Sequence, residues 1–190
     1  SILGFFKYFN FFSSNFGALF GFFGMSVHPV LLHIALPIGI SFYTFKTMSY
    51  TFDVYTNKIE PTRSYPDYAL FVIFFPLLVA GPIEKAGRLL AQILSPRKLE
   101  LKQFYDGCYL IVWGLCQKIF FADNLAKIVD PVFNTGSPYN GINVMAAIYA
   151  FAFQIYCDFA GYSNMAKGVG KCMGFDIMVN FNLPYFSTNP

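Results

Sequence analysis

The stretch Ile142-Asn143-Val144-Met145-Ala146-Ala147-Ile148-Tyr149-Ala150-Phe151-Ala152-Phe153-Gln154-Ile155-Tyr156-Cys157-Asp158-Phe159 decides the fold. It is apolar and aromatic, carries one charge near its far end, and has the length of a helix that crosses hydrocarbon. Gln154, Asp158 and Tyr162 recur every four residues, so they share one face if the helix runs on through Gly161. Gly161 also offers a stop, and both readings stand. An acidic side chain at the end of such a span is costly against lipid. Asp158 therefore faces a polar cavity, a partner helix or the interface. Cavity lining and a structural hydrogen-bond or helix-end role are equal alternatives.

The composition of the whole chain agrees. Of its 190 residues 56% are hydrophobic, 21% are aromatic and only 12% are charged. The charged share is about half that of a soluble domain, too little to clothe a water-facing surface of this size. The net charge of +3 is small and no basic block appears, which argues against nucleic acid as a partner. Lys85, Arg88, Arg97, Lys98 and Lys102 cluster in one polar segment, as in a cytoplasmic loop.

Working outward, the pattern predicts an all-α, polytopic transmembrane protein with kinked spans and short interfacial or re-entrant helices. Residues 1–25 are aromatic, but Gly17, Gly21 and Gly24 argue against a single clean helix. A first span is expected from Leu31 to Tyr55, with Pro37 kinking it and Lys46 either snorkelling or pointing into a polar interior. A second is expected from Asp67 to Ile83, bent or broken at Phe74-Phe75-Pro76 and again at Ala80-Gly81-Pro82. Residues 84–94 read as a short amphipathic helix, with Leu89, Leu90 and Ile93 inward and Lys85, Arg88 and Gln92 towards water. A third span runs from Phe104 to Ala122. A Gly-, Pro- and Asn-rich connection follows from Asn124 to Asn140, and the fourth span covers Ile142 to Phe159. Basic residues place the loop before the third span inside, the connection before the fourth outside, and Lys167 and Lys171 inside again. No secretory leader is visible, and the chain reads as the interior of a longer product, truncated at both ends.

Few residues suggest chemistry of their own. His33 begins an apolar span and reads as an interfacial or helix-start contact. His28 lies five positions earlier, off any shared helical face, so the two make a poor metal site. Cys108, Cys116, Cys157 and Cys172 form no close pair and read as free buried thiols. Lys118 and Asp123 suggest an interfacial anchor or local ion pair, and Asn180 and Asn182 suggest loop caps. No phosphate loop, zinc-protease motif or nucleophile elbow is present.

Several strings, in order, resemble the membrane-bound O-acyltransferase family, within it the alginate O-acetyltransferase branch. They are Leu36-Pro37-Ile38-Gly39-Ile40-Ser41-Phe42-Tyr43-Thr44-Phe45, Ser49-Tyr50-Thr51-Phe52-Asp53-Val54-Tyr55, and Phe74-Phe75-Pro76-Leu77-Leu78-Val79-Ala80-Gly81-Pro82-Ile83. Further on come Lys118-Ile119-Phe120-Phe121-Ala122-Asp123-Asn124-Leu125, Tyr156-Cys157-Asp158-Phe159-Ala160-Gly161-Tyr162-Ser163-Asn164-Met165-Ala166, and Asn180-Phe181-Asn182-Leu183-Pro184-Tyr185. Gly4-Phe5-Phe6-Lys7-Tyr8-Phe9-Asn10 resembles the family's corresponding stretch as well.

The resemblance implies that residues 1–190 are part of a membrane-bound O-acyltransferase (MBOAT) domain in a bacterial inner membrane. It implies acyl transfer to a hydroxyl, the acceptor being an exported polysaccharide or a cell-wall polymer. Acetyl-coenzyme A or another acyl thioester would be the donor, with no tightly bound cofactor. An acyl carrier or an extracytoplasmic acetyltransferase would be a partner, besides the lipid bilayer. The family's hallmark catalytic His lies in a Trp-His-containing motif that neither His28 nor His33 matches, so no catalytic residue is assigned. Asp158, Tyr162, Ser163, Asn164 and Asn182 are expected to border the family's central funnel. Asn164 stands where relatives often have an acid. A transporter or channel, and a structural subunit that positions a partner enzyme, remain the competing readings.

Overall fold

The computed structural model describes residues 2–24, 30–32, 39–78, 81–134 and 140–188. His28, His33, Pro37 and the Ala80 part of the expected break lie outside them. Among the described residues the protein is helical, without a strand.

The first helix, α1 (Ile2–Phe22), is continuous through Gly17 and Gly21, contrary to expectation, and Gly24 lies beyond its end at φ 78. Its polar residues fasten a neighbouring strap. Asn10 donates to the Leu32 carbonyl at 2.9 Å and accepts from the Leu32 N–H at 2.8 Å, while Ser13 donates to the Val30 carbonyl at 2.8 Å. Phe11, Phe12, Phe16 and Phe22 stay exposed.

Helix α2 (Ile40–Tyr55) starts directly after Gly39. Its Lys46 does not snorkel: it is buried at 1% exposure. The expected break at Pro76 is present: α3 (Tyr65–Val72) stops, and a 3-10 turn (Phe75–Leu77) follows. Proline has no N–H to extend an α-helix and disfavours helical geometry before it.

Helix α4 (Ala86–Leu94) has the expected amphipathic form. Ala86, Leu89 and Leu90 join a core with Phe71, Phe74, Leu77, Ala166, Phe175 and Ile177.

The largest unit is a helical hairpin. Its first arm is α5 (Leu101–Leu115), a π-helical segment (Cys116–Ala122) and α6 (Asp123–Asn134); its second is α7 (Gly141–Cys172). Two expected boundaries are corrected here. Residues 123–134 are helix rather than connection. Ala122, Leu125, Ala126, Val129 and Val132 form a helical stripe of buried and half-buried residues. The amide groups that suggested a loop bond within the helix, Asn124 Nδ2 donating to the Phe120 carbonyl at 2.6 Å. The fourth span does not end at Phe159 but continues to Cys172, so Asp158 lies mid-helix and Lys167 and Lys171 lie on its last turns. Asn140 caps its start, Oδ1 accepting from the Asn143 N–H at 3.0 Å. At its end Phe175 N–H bonds to the Gly170 carbonyl and Gly174 N–H to the Lys171 carbonyl. That is a Schellman motif, which requires the left-handed φ of 81° that Gly174 supplies.

Among the described residues one helix, α7, is long and apolar enough to cross a membrane, and only 22% of its apolar window is buried. A core helix of a water-soluble protein would be mostly covered.

Candidate functional site

The two arms of the hairpin run antiparallel and touch through glycines. Gly107 and Gly114 lie seven residues apart on α5, and Gly161 and Gly168 have the same spacing on α7. A Cβ on Gly114 would meet the Gly161 carbonyl at 2.5 Å, and one on Gly168 would meet the Gly107 carbonyl at 2.6 Å. Backbones come this close only where side chains are absent, as in membrane helix pairs. Gly161 therefore packs rather than stops the helix, and Gln154, Asp158 and Tyr162 share a face.

Above the glycine contact the first arm becomes π-helical, a widening often found at functional sites. It presents Gln117 and Lys118 to α7. Lys118 Nζ lies 2.7 Å from Asp158 Oδ1 and 2.9 Å from Asp123 Oδ1, and 5.8 Å from the centre of the Tyr162 ring. Gln117 is buried, and its Oε1 accepts from Asn164 Nδ2 at 2.7 Å. Buried Ser163 accepts from Asn180 Nδ2 at 2.8 Å. The segment after α7 returns along it: Phe181 packs on Tyr156 and Phe159, and the Tyr185 hydroxyl donates to the Ala152 carbonyl at 2.6 Å.

Four of the five expected residues are thus in one region: Asp158, Tyr162 and Asn164 towards the π segment, Ser163 towards residue 180. Asn182 is exposed and joins none of these bonds. Gln154 Oε1, on the same face as Asp158, is buried with no hydrogen-bond partner among the described residues.

A second polar centre lies at the end carrying the basic segment. Glu84 is 1% exposed; its Oε2 accepts the Met178 N–H at 2.8 Å and its Oε1 faces Arg88 Nε at 3.6 Å. Arg88 also pairs with Asp176 at 2.5 Å, and Gln92 accepts the Asp176 N–H at 2.7 Å. Lys171 pairs with Asp106 at 3.5 Å.

Sequence reasoning missed Gln117, Glu84 and the pairing role of Asn180. Glu84 left a signal, an acid directly after an apolar run. Gln117 left one as an amide inside a span. Asn180 left none beyond its type.

The arrangement can hold and orient polar groups inside an apolar hairpin. Among the described residues it sets no nucleophile beside a base: Ser163 faces an amide, not a proton acceptor. The four cysteines are free and half-buried. Among the described residues no group of three His, Cys, Asp or Glu is placed to hold a metal ion.

A helical chain with polar side chains linking the two arms of a glycine-packed hairpin, one arm long and apolar enough to span a membrane, matches membrane acyltransferases in sequence. The chain belongs to the membrane-bound O-acyltransferase family and resembles its alginate and peptidoglycan O-acetyltransferase branch. It is 44% identical to a probable alginate O-acetylase of Azotobacter vinelandii, over 98% of this chain and 37% of that protein. It is 32% identical to a peptidoglycan O-acetyltransferase of Helicobacter pylori, over 100% of this chain and 40% of that protein. A teichoic acid D-alanyltransferase of Bacillus subtilis is 28% identical over 80% of this chain and 39% of its own length. The chain thus spans well under half the length of these curated relatives. No family model matches it.

Proposed function

We propose that the protein to which this chain contributes is a multi-pass O-acyltransferase of a bacterial cytoplasmic membrane, with residues 1–190 forming part of its transmembrane domain. It transfers an acetyl group from an acyl thioester to a hydroxyl of an exported or cell-surface polysaccharide. The donor is acetyl-coenzyme A or another acyl thioester, and an acyl carrier or an extracytoplasmic acetyltransferase is the expected partner. The names of the relatives support acyl transfer to envelope polymers.

The observation that carries this reading is the pair of cross-arm polar contacts from α7 to the π segment, Asp158 to Lys118 and Asn164 to Gln117, made within a helix long and apolar enough to span a membrane. Charged and amide groups on a membrane-spanning helix are costly against lipid and gather where a pathway or site excludes it. In the reaction the hydroxyl attacks the thioester carbonyl, a base takes its proton, and the thiol leaves. No residue of this chain is assigned as that base. Asp158, Tyr162, Ser163, Asn164 and Asn182 are proposed to border the funnel in which donor and acceptor meet.

The test is labelled acyl transfer by the full-length protein in detergent, with a panel of alginate, peptidoglycan and teichoic acid acceptors. Label appearing in one polymer supports the reading and names the acceptor. Solute flux through reconstituted vesicles, without transfer to any polymer, would replace it with a transporter.

A further inference from the structure

Lys46 is 1% exposed, and its Nζ has no hydrogen-bond partner among the described residues. An ammonium buried without an acceptor is among the costliest groups a fold can retain. Glu84 acts on Lys46 electrostatically, and among the described residues Lys46 forms no ion pair. Both Glu84 carboxylate oxygens already have other partners, Oε2 the Met178 N–H and Oε1 the Arg88 guanidinium. Pairing with Glu84 therefore does not account for the lysine.

The neighbourhood is a broken one. Gly39, Tyr43, Lys46 and Tyr50 share a face of α2 by helical spacing. At one end of this face a Cβ on Gly39 would collide with the Leu78 carbonyl oxygen. At the other, Tyr50 packs on Tyr68 at 4.9 Å and on Phe71 at 6.2 Å. The face thus lies along the interrupted stretch that runs from α3 through the Phe75–Leu77 turn to Leu78. Irregular backbone at membrane depth is tolerated where it is buried in protein or lines a cavity. A broken helix beside a buried ionisable side chain is how membrane proteins commonly build binding sites. Glu84 leads directly into the segment with Lys85, Arg88, Arg97, Lys98 and Lys102, the cytoplasmic end by its basic residues. Acyl thioesters are cytoplasmic metabolites and arrive at that end.

We propose that Lys46 is a donor-binding residue. Its ammonium donates a hydrogen bond to an acceptor oxygen on the pantetheine arm of the incoming acyl thioester. Coenzyme A and acyl carrier proteins share that arm. No bond is made or broken at Nζ. The assignment rests on the acyltransferase reading above.

The experiment uses the full-length protein in detergent as wild type, K46M, K46Q and K46R. KM is measured for acetyl-coenzyme A, for an acetylated carrier protein and for the acceptor polymer, together with the melting temperature. K46M is expected to raise KM for both donors about tenfold or more, to leave the acceptor KM alone, and to melt no lower than wild type. K46Q, which keeps a neutral hydrogen-bond donor, falls between, and K46R recovers donor binding. A rise for one donor only overturns the assignment to the shared arm. Unchanged donor KM in K46M and K46Q, with wild type active, overturns the inference and leaves the acyltransferase reading standing. Unfolding of both neutral variants with recovery in K46R marks a structural lysine and overturns it as well. Wild type that transfers from neither donor removes both.

Discussion

Lys118 Nζ sits 2.7 Å from Asp158 Oδ1 while also reaching Asp123 Oδ1 at 2.9 Å, so one ammonium ties the π segment to the middle of α7 and to the start of α6. Asp158→Asn removes one of two carboxylates and leaves Lys118 its bond to Asp123. The full-length variant is expected to fold and to lose about tenfold or more of its acyl transfer, measured with labelled donor beside a thermal melt. Unchanged transfer with unchanged melting would take Asp158 off the functional list.

The glycine contact sets how closely the hairpin closes. A Cβ on Gly161 would stand 2.8 Å from the Gly114 carbonyl oxygen, whereas one on Gly21 meets nothing within 4 Å. Gly161→Ala is expected to cost about 1–3 kcal/mol through backbone displacement. Gly21→Ala is expected to be neutral or to stabilise by up to ~1 kcal/mol. Chemical unfolding in detergent distinguishes the two, and equal effects would refute the close contact.

Buried Gln117 and half-buried Asn164 form an amide pair across the arms at 2.7 Å. Asn164→Leu strands the Gln117 acceptor and is expected to destabilise by about 1–3 kcal/mol. Adding Gln117→Leu removes the stranded group, so the double variant should be less destabilised than the sum of the singles. Additive losses would show that the two amides do not interact.

Glu84 holds the Met178 N–H at 2.8 Å, fastening the segment after α7 to the start of α4. Glu84→Ala leaves that N–H without an acceptor and is expected to cost about 1–3 kcal/mol. Limited proteolysis should then cut faster between Met173 and Asn180. Wild-type cleavage rates would mean the contact is dispensable.

Topology can be checked with single cysteines in a cysteine-free full-length background. Leu99 is 70% exposed within the basic segment, and a cysteine there is expected to label from the cytoplasmic side. A cysteine at Gly136, which lies outside the described residues, is expected to label from the opposite side. Labelling at Gly136 only from the cytoplasm would invert the assignment.

The break at Pro76 and the amphipathic face of α4 were legible because each follows from local rules, a missing N–H and a period of three to four. The helix from Asp123 to Asn134 was not, because its asparagines carry the same local signals whether they cap a loop or bond back within a turn. The run of α7 past Gly161 was also undecidable locally. A glycine ends a helix at a left-handed turn, as Gly174 does, or lets a second helix approach, and the choice depends on Gly114 across the hairpin.

By itself the sequence determined that the chain is helical, that α7 is apolar enough to span lipid, and that the helical run breaks at Pro76, since apolar spacing and proline act within a few residues. Only the tertiary structure decided which polar groups meet. Gln117 finds Asn164 across 47 positions and Glu84 finds Met178 across 94. The register of the antiparallel arms, set by backbone contact at the paired glycines, and the return of the chain after Gly174 bring them together. No local pattern encodes either.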